Sequence, residues 1–194
     1  MGGVSGIKFI KKDAKFILEK MDLSNFLETK NIYVTGSYRR DCVYVNDLDF
    51  IVDTDSRVEV LRHLQSKFGN DFERVRGDFL TGKICQYRLD LKSFKMRQES
   101  IKMDFKFVSG NEVPFMLLHF TGSNFLNIAI RNKAEKQGYK LNEYGLYDIK
   151  TSEKVQIGQS GLKLKNGKIL KGLNHEGDIF NILGYEYIPT NLRS

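Results

Sequence analysis

A chain of 194 residues with 41% hydrophobic and 28% charged side chains can bury a core, which excludes the disordered classes, and two prolines leave no room for a proline-rich tail. Its 31 lysines and arginines exceed its 24 aspartates and glutamates, a formal charge of +7 that describes either an ordinary basic protein or a surface that attracts phosphates. Cys42 and Cys85 form neither a disulfide framework nor a metal-ligand spacing, so a reduced state is the default and a bond between them stays open. No apolar run reaches the roughly 18 residues of a membrane span. The amino terminus lacks a secretory core and a myristoylation pattern, so no membrane partner is expected.

In chain order, residues from about Asp13 to Phe26 predict a helix, with Ala14, Ile17, Leu18 and Met21 on one stripe. Ile32 to Val34 reads as a strand entering the polar turn Gly36-Ser37-Tyr38-Arg39-Arg40. Leu48, Phe50 and Val52 alternate with Asp47, Asp49 and Ile51, a strand with one strongly apolar face. Asp55-Ser56 is the expected cap of a helix carrying Val58, Leu61, Leu64 and Phe68. Three further strands are expected: Phe72 to Val75, the alternation at Cys85, Tyr87, Leu89 and Leu91, and the clear period of two at Ile101, Met103, Phe105 and Phe107. Beyond Gly110 the character changes. Val113 to Leu118 is apolar, Ser123 to Lys136 reads as a helix closed by Gly138, and Phe125, Ala129 and Ile130 are expected to face inward with Asn127 outward. Residues 151–177 read as a hairpin or loop, and Asp178 to Leu183 as a last helical turn. The expected lobes are 1–110 and 111–194.

The chemistry is concentrated in few residues. Asp47 and Asp49, at i and i+2 on a strand, share a face, and two adjacent carboxylates repel unless cations lie between them. Hard divalent ions such as magnesium suit them, although a lone pair of this kind also describes a solvated strand face. Gly36, Ser37 and Arg40 on the preceding turn form a candidate phosphate cradle from backbone N–H groups, a hydroxyl and a guanidinium. A third carboxylate is wanted, and strand periodicity leaves Asp90 and Asp104 both open; Asp104 is flanked on its face by Lys102 and Lys106. His63 and His175 read as surface histidines, and Lys163, Lys165, Lys168 and Lys171 as either a solvated hairpin or a phosphate track.

These residues carry a resemblance. G-S-Y-R-R at 36–40, N-D-L-D at 46–49 and I-K-M-D-F-K at 101–106 are similar to the palm of the family X DNA polymerases, the group that contains DNA polymerase beta. L-H-F-T-G-S at 118–123, N-F-L-N at 124–127, Arg131, N-E-Y-G at 142–145 and the stretch from Gly177 to Pro189 resemble that family's nucleotide-binding lobe. The likeness covers roughly residues 30–150 and 176–193, with the motifs in the family's order.

The resemblance implies an α/β (α+β) nucleotidyltransferase palm, a mixed sheet with flanking helices, followed by a small carboxyl-terminal lobe. It implies templated addition of a deoxynucleotide from a dNTP to a DNA 3′-hydroxyl, with short-gap repair as its use. The alternatives are a template-independent or ribonucleotide-using transferase and a non-catalytic basic DNA-binding module. By carry-over, Asp47, Asp49 and Asp104 are catalytic and hold two Mg²⁺, with Mn²⁺ able to substitute; the interval from Asp104 to His119 matches the family and decides against Asp90. Gly36, Ser37, Arg40, Asn46, His119, Phe120, Gly122, Asn127 and Arg131 are the implied nucleotide-binding residues, and Lys102, Lys106, Glu143 and Tyr144 the implied DNA contacts. The expected partners are gapped or primer-template DNA and dNTP, the expected state a monomer, and the expected location intracellular: cytoplasm, virion or nucleus. Fewer than 30 residues precede the region of likeness, so a lyase or helix-hairpin-helix domain is not expected, as in the minimal two-lobe viral members.

Overall fold

A computed structural model describes residues 9–23, 32–53, 56–77, 84–96, 100–108, 110–156, 161–163 and 169–193. The expected residues at 24–26, Asp55, Lys165 and Lys168, and the side chain of Lys163, lie outside what is described. The chain divides into two compact units, Met1–Val108 and Ser109–Ser194.

The first unit opens with β1 (Phe9–Ile10) and α1 (Lys11–Met21), continues through β2 (Ile32–Val34), a one-turn helix α2 (Gly36–Arg39), β3 (Tyr44–Val45) and β4 (Asp47–Asp53), then α3 (Arg57–Phe68), β5 (Phe72–Arg76), β6 (Ile84–Asp90) and β7 (Ser100–Val108). Five strands form one sheet in the order β2-β4-β7-β6-β5. The β4–β7 pair is parallel and the others antiparallel, so the sheet is mixed, as expected. Parallel neighbours need a long crossover, and α3 with the β5–β6 hairpin supplies it.

Alternation along β4 and β7 decides the faces. Leu48, Phe50 and Val52 from β4 and Met103, Phe105 and Phe107 from β7 point into one core, where Ala14, Ile17 and Met21 of α1 and Val60, Leu61 and Leu64 of α3 meet them. Phe50 and Phe105, register partners, stack with centroids 4.7 Å apart, and the stacked pair Phe72–Tyr87 meets Phe105 edge-on. Each fully buried aliphatic or aromatic side chain here contributes about 1.5–3 kcal/mol. The same alternation sends Asp47, Asp49, Lys102 and Asp104 to the other face. Three expectations need correction. Val58 is only half-buried while Val60 is buried, because the core-facing stripe of α3 runs 60, 61, 64. Ser56 lies in helical geometry with no side-chain cap bond. His63 is half-buried, its Nε2 3.0 Å from the Met21 carbonyl at the end of α1, not a free surface residue.

The second unit comprises α4 (Val113–Thr121), α5 (Asn124–Lys136), the hairpin β8 (Tyr139–Asn142) and β9 (Gly145–Asp148), the short hairpin β10 (Leu162–Lys163) and β11 (Ile169–Leu170), and α6 (Glu176–Leu183). Pro114 sits in the first turn of α4, where its missing N–H has no helical partner to lose. Phe115, Leu118, Ile130, Ala134, Leu146, Ile179, Phe180 and Leu183 form a separate core. Arg193 closes the carboxyl-terminal segment onto α6: it is buried, donates to the Ile188 carbonyl and to Glu176, and lies over the Phe180 and Tyr187 rings. Phe125 and Ala129, expected inside, are exposed; Ile130 and Ala134 are the residues of α5 that pack inward. Cys42 and Cys85 are both free thiols.

Candidate active site

In the first unit the parallel pairing of β4 and β7 sets Asp49 directly beside Asp104, and Asp47 beside Lys102. Adjacent strands lie about 4.8 Å apart, so three carboxylates occupy one small area of the sheet face. Asp90 is placed elsewhere: its register partner is Ser100, and its carboxylate accepts the Lys92 backbone N–H at 2.9 Å.

The turn before β4 is built against Asp49. The Thr35 N–H donates to the Asp49 carbonyl at 2.7 Å. Gly36 adopts φ +63, and a Cβ added there would lie 2.5 Å from Asp49 Oδ2, so both the backbone angle and the space demand glycine. Ser37 and Arg40, on α2 and at its end, are half-buried, and Asn46 is exposed immediately before β4. Pairing of β1 with β3 also brings Lys11 to this loop, where its ammonium bonds Asp41 and lies 5.1 Å from the centre of the Tyr38 ring. Sequence reading missed Lys11, because only a long-range strand pairing brings it there.

The electrostatics are those of an anion cluster that its lysines compensate only in part. Burial, and then the neighbouring Asp49 and Asp104 charges, push the Asp47 carboxyl above its ordinary range, against the opposing pull of Lys106 and Lys102. Asp104 Oδ1 is buried and has no hydrogen-bond partner. The Lys106 ammonium lies 2.5 Å from Asp49 Oδ1 and is itself buried. Expected as a DNA contact, Lys106 is thus engaged inside the site, while Lys102 is exposed. Among the described residues no three His, Cys, Asp or Glu side chains are already gathered as a metal cage. The donor set nevertheless fits hard divalent ions: all-oxygen ligands, mutual repulsion, and one buried oxygen without a donor.

In the second unit the expected residues converge on His119. The rings of His119 and Phe120, at the end of α4, meet edge-to-face at 4.7 Å. Asn127 Nδ2 donates to the His119 carbonyl at 2.7 Å, and an Arg131 N–H donates to His119 Nδ1 at 2.8 Å. Arginine only donates, so Nδ1 is the acceptor and the neutral ring carries its proton on Nε2. Arg131 also lies 3.7 Å from Glu143. Gly122, at φ +71, ends α4, and the Tyr144 N–H is held by Asn142 Oδ1 at 2.9 Å. The β8–β9 hairpin that carries Glu143 and Tyr144 went unread in the sequence, since its strands are four residues long and show little alternation.

Residues 116–194 match the family model described as the DNA polymerase beta thumb. The repair DNA polymerase X of African swine fever virus is 29% identical over 129 residues, 66% of this chain and 71% of the viral protein. These matches carry a likeness to the family X DNA polymerases. The DNA polymerase/3′-5′ exonuclease PolX of Bacillus subtilis is 30% identical over 131 residues, 68% of this chain and 21% of that protein. A crystal structure of Leishmania infantum polymerase beta in a ternary P/T complex superposes with a TM-score of 0.69, covering 97% of this chain and 77% of that one. At 21% identity that likeness establishes the fold: a mixed α/β architecture like that of polymerase beta.

Proposed function

We propose that this chain is a family X DNA repair polymerase that adds dNMP from dNTP to the 3′-hydroxyl of a primer on gapped DNA, with two Mg²⁺ held by Asp47, Asp49 and Asp104. The observation that carries this reading is the buried, partnerless Asp104 oxygen beside Asp49 and Asp47, an oxygen cluster short of positive charge. Relatives named as DNA polymerases, the viral one as a repair polymerase, support the class of reaction.

Bound divalent ions supply Lewis-acid charge to the phosphate oxygens and lower the pKa of the attacking hydroxyl. Asp47, Asp49 and Asp104 would hold the ions through their carboxylate oxygens. Ser37 and Arg40 bind the outer phosphates, the guanidinium as a planar fork. His119, whose Nδ1 accepts from Arg131, stands with Phe120 against the nucleotide sugar. Phe120 packs beneath it and limits room at the sugar 2′ position. Asn127, already spending its amide on the His119 carbonyl, couples base contact to the position of that turn.

Primer extension on nicked, gapped and open templates tests the reading. Asp49→Asn is expected to abolish incorporation while DNA binding persists, and Asp90→Asn to be mild. Retention of more than a few per cent of activity by Asp49→Asn overturns the metal assignment. Equal use of NTP and dNTP by the wild-type protein favours a ribonucleotide-using transferase.

A further inference from the structure

The outer face of α5 carries a feature that the chemistry above leaves unused. Phe125 is 83% exposed and Ile128 57% exposed, the former the most exposed large apolar side chain among the described residues. With Ala129, also exposed, they fall at i, i+3 and i+4 and form one ridge along the helix, while Ile130 and Ala134 fill the core on the other side. A single exposed apolar residue is ordinary. Two large ones on adjacent turns, in a helix whose inward face is already satisfied, are a surface offered to something.

The charge around the ridge narrows what that is. The helix carries Arg131, Lys133 and Lys136 against a single acid, Glu135, and the chain as a whole is +7. A polyanion with flat apolar parts matches both properties; a paired duplex presents its phosphates but hides its base faces. Asn127 and Arg131, the proposed nucleotide contacts, stand on the same helix within a turn of Ile128. We propose that Phe125, with Ile128 beside it, is a stacking platform for an unpaired base of the template strand. The inference rests on the polymerase reading above and adds to it a residue that holds single-stranded template. Aromatic stacking tolerates any base, so the platform positions the strand without selecting its sequence.

The chain contains no tryptophan, so Phe125→Trp introduces a single reporter at an exposed position where folding is not at stake. Its emission is expected to be that of a water-exposed indole, quenched by DNA with a short unpaired template stretch and unchanged by a blunt duplex of equal length. Phe125→Ala is expected to weaken binding of the gapped DNA about five- to 150-fold, since one base–aromatic stack is lost. Its affinity for the blunt duplex should change less than about twofold, since the phosphate contacts remain. Equal quenching or equal loss on both DNAs overturns the platform, because phosphates alone would then be read there. Emission that shifts with protein concentration in the absence of DNA also overturns it and assigns the ridge to a second copy of the chain. Primer extension by the wild-type protein, run in parallel, keeps the two readings apart: extension without any Phe125 effect rejects the platform alone, and quenching without extension rejects the polymerase alone.

Discussion

The Lys106 ammonium lies 2.5 Å from Asp49 Oδ1, with only 8% of the lysine side chain exposed. A strand residue that alternation sends to the same face as the carboxylates therefore acts as their internal counter-charge. Replacing Lys106 with Met leaves Asp49 facing Asp47 and Asp104 uncompensated. Breaking one partner of a buried pair costs about 3–5 kcal/mol, and the partial exposure of Asp49 places the expected loss at the low end or below. The metal-free variant is expected to melt several degrees below wild type, and saturating Mg²⁺ to recover more of that loss in the variant than it adds to wild type. Thermal melts with and without Mg²⁺ measure this; identical metal-free melting would remove Lys106 from the charge balance.

Asp47 predicts a pH dependence of opposite sign to that of a salt-bridged carboxylate. Its folded-state pKa is raised above 3.8, chiefly by burial and then by Asp49 and Asp104. The folded protein thus binds that proton more tightly than the unfolded chain does. The stabilising contribution is complete below the unfolded value and is lost as pH rises through the folded one. At neutral pH the charged Asp47 is a cost in the metal-free protein. Asp47→Asn is expected to raise the metal-free melting temperature at pH 7, to leave it little changed near pH 3.5, and to abolish incorporation. A lower melting temperature at pH 7 would contradict the repulsion.

Gly36→Ala tests the approach of the turn to Asp49. The left-handed backbone at φ +63 costs a side chain about 1–2 kcal/mol, which in a chain of this size is a few degrees of melting temperature. The larger effect is on position, because the new methyl meets Asp49 Oδ2. Incorporation is expected to fall by about a hundredfold or more, through kcat, while the melting temperature falls only slightly. Equal, small losses in both would mean that the carboxylate moves aside freely.

Asn127→Ala removes the 2.7 Å bond from the side-chain amide to the His119 carbonyl. The expected stability cost is about 1 kcal/mol. The expected kinetic effect is a higher KM for dNTP from a less ordered His119 turn. Glu143→Gln is the contrast: its 3.7 Å contact with a 42% exposed Arg131 is worth little, so KM should hardly move. Steady-state kinetics of the two variants decide whether the turn is set from α5 or from the hairpin.

The strands and the carboxylate face were legible because alternation is a local property. Leu48-Phe50-Val52 and Ile101-Met103-Phe105-Phe107 must lie on one side of a pleated strand, which places Asp47 with Asp49, and Asp104 with Lys102 and Lys106, whatever the partners are. Charge and glycine placement at Gly36 and Arg40 likewise belong to the chain itself. Register is not local. That Asp49 stands opposite Asp104, while Asp90 stands opposite Ser100, follows from the parallel pairing of β4 with β7, which no single strand encodes. The burial of Lys106 against Asp49 depends on that same pairing. On α5 the period of 3.6 allows two apolar stripes, Phe125 with Ala129 and Leu126 with Ile130 and Ala134. The second is the one that Phe115, Leu118 and Phe180 cover, and the first is left to water. Composition and period therefore determined which residues share a face, and only the packing of elements distant in the chain decided which face is buried and which carboxylates meet.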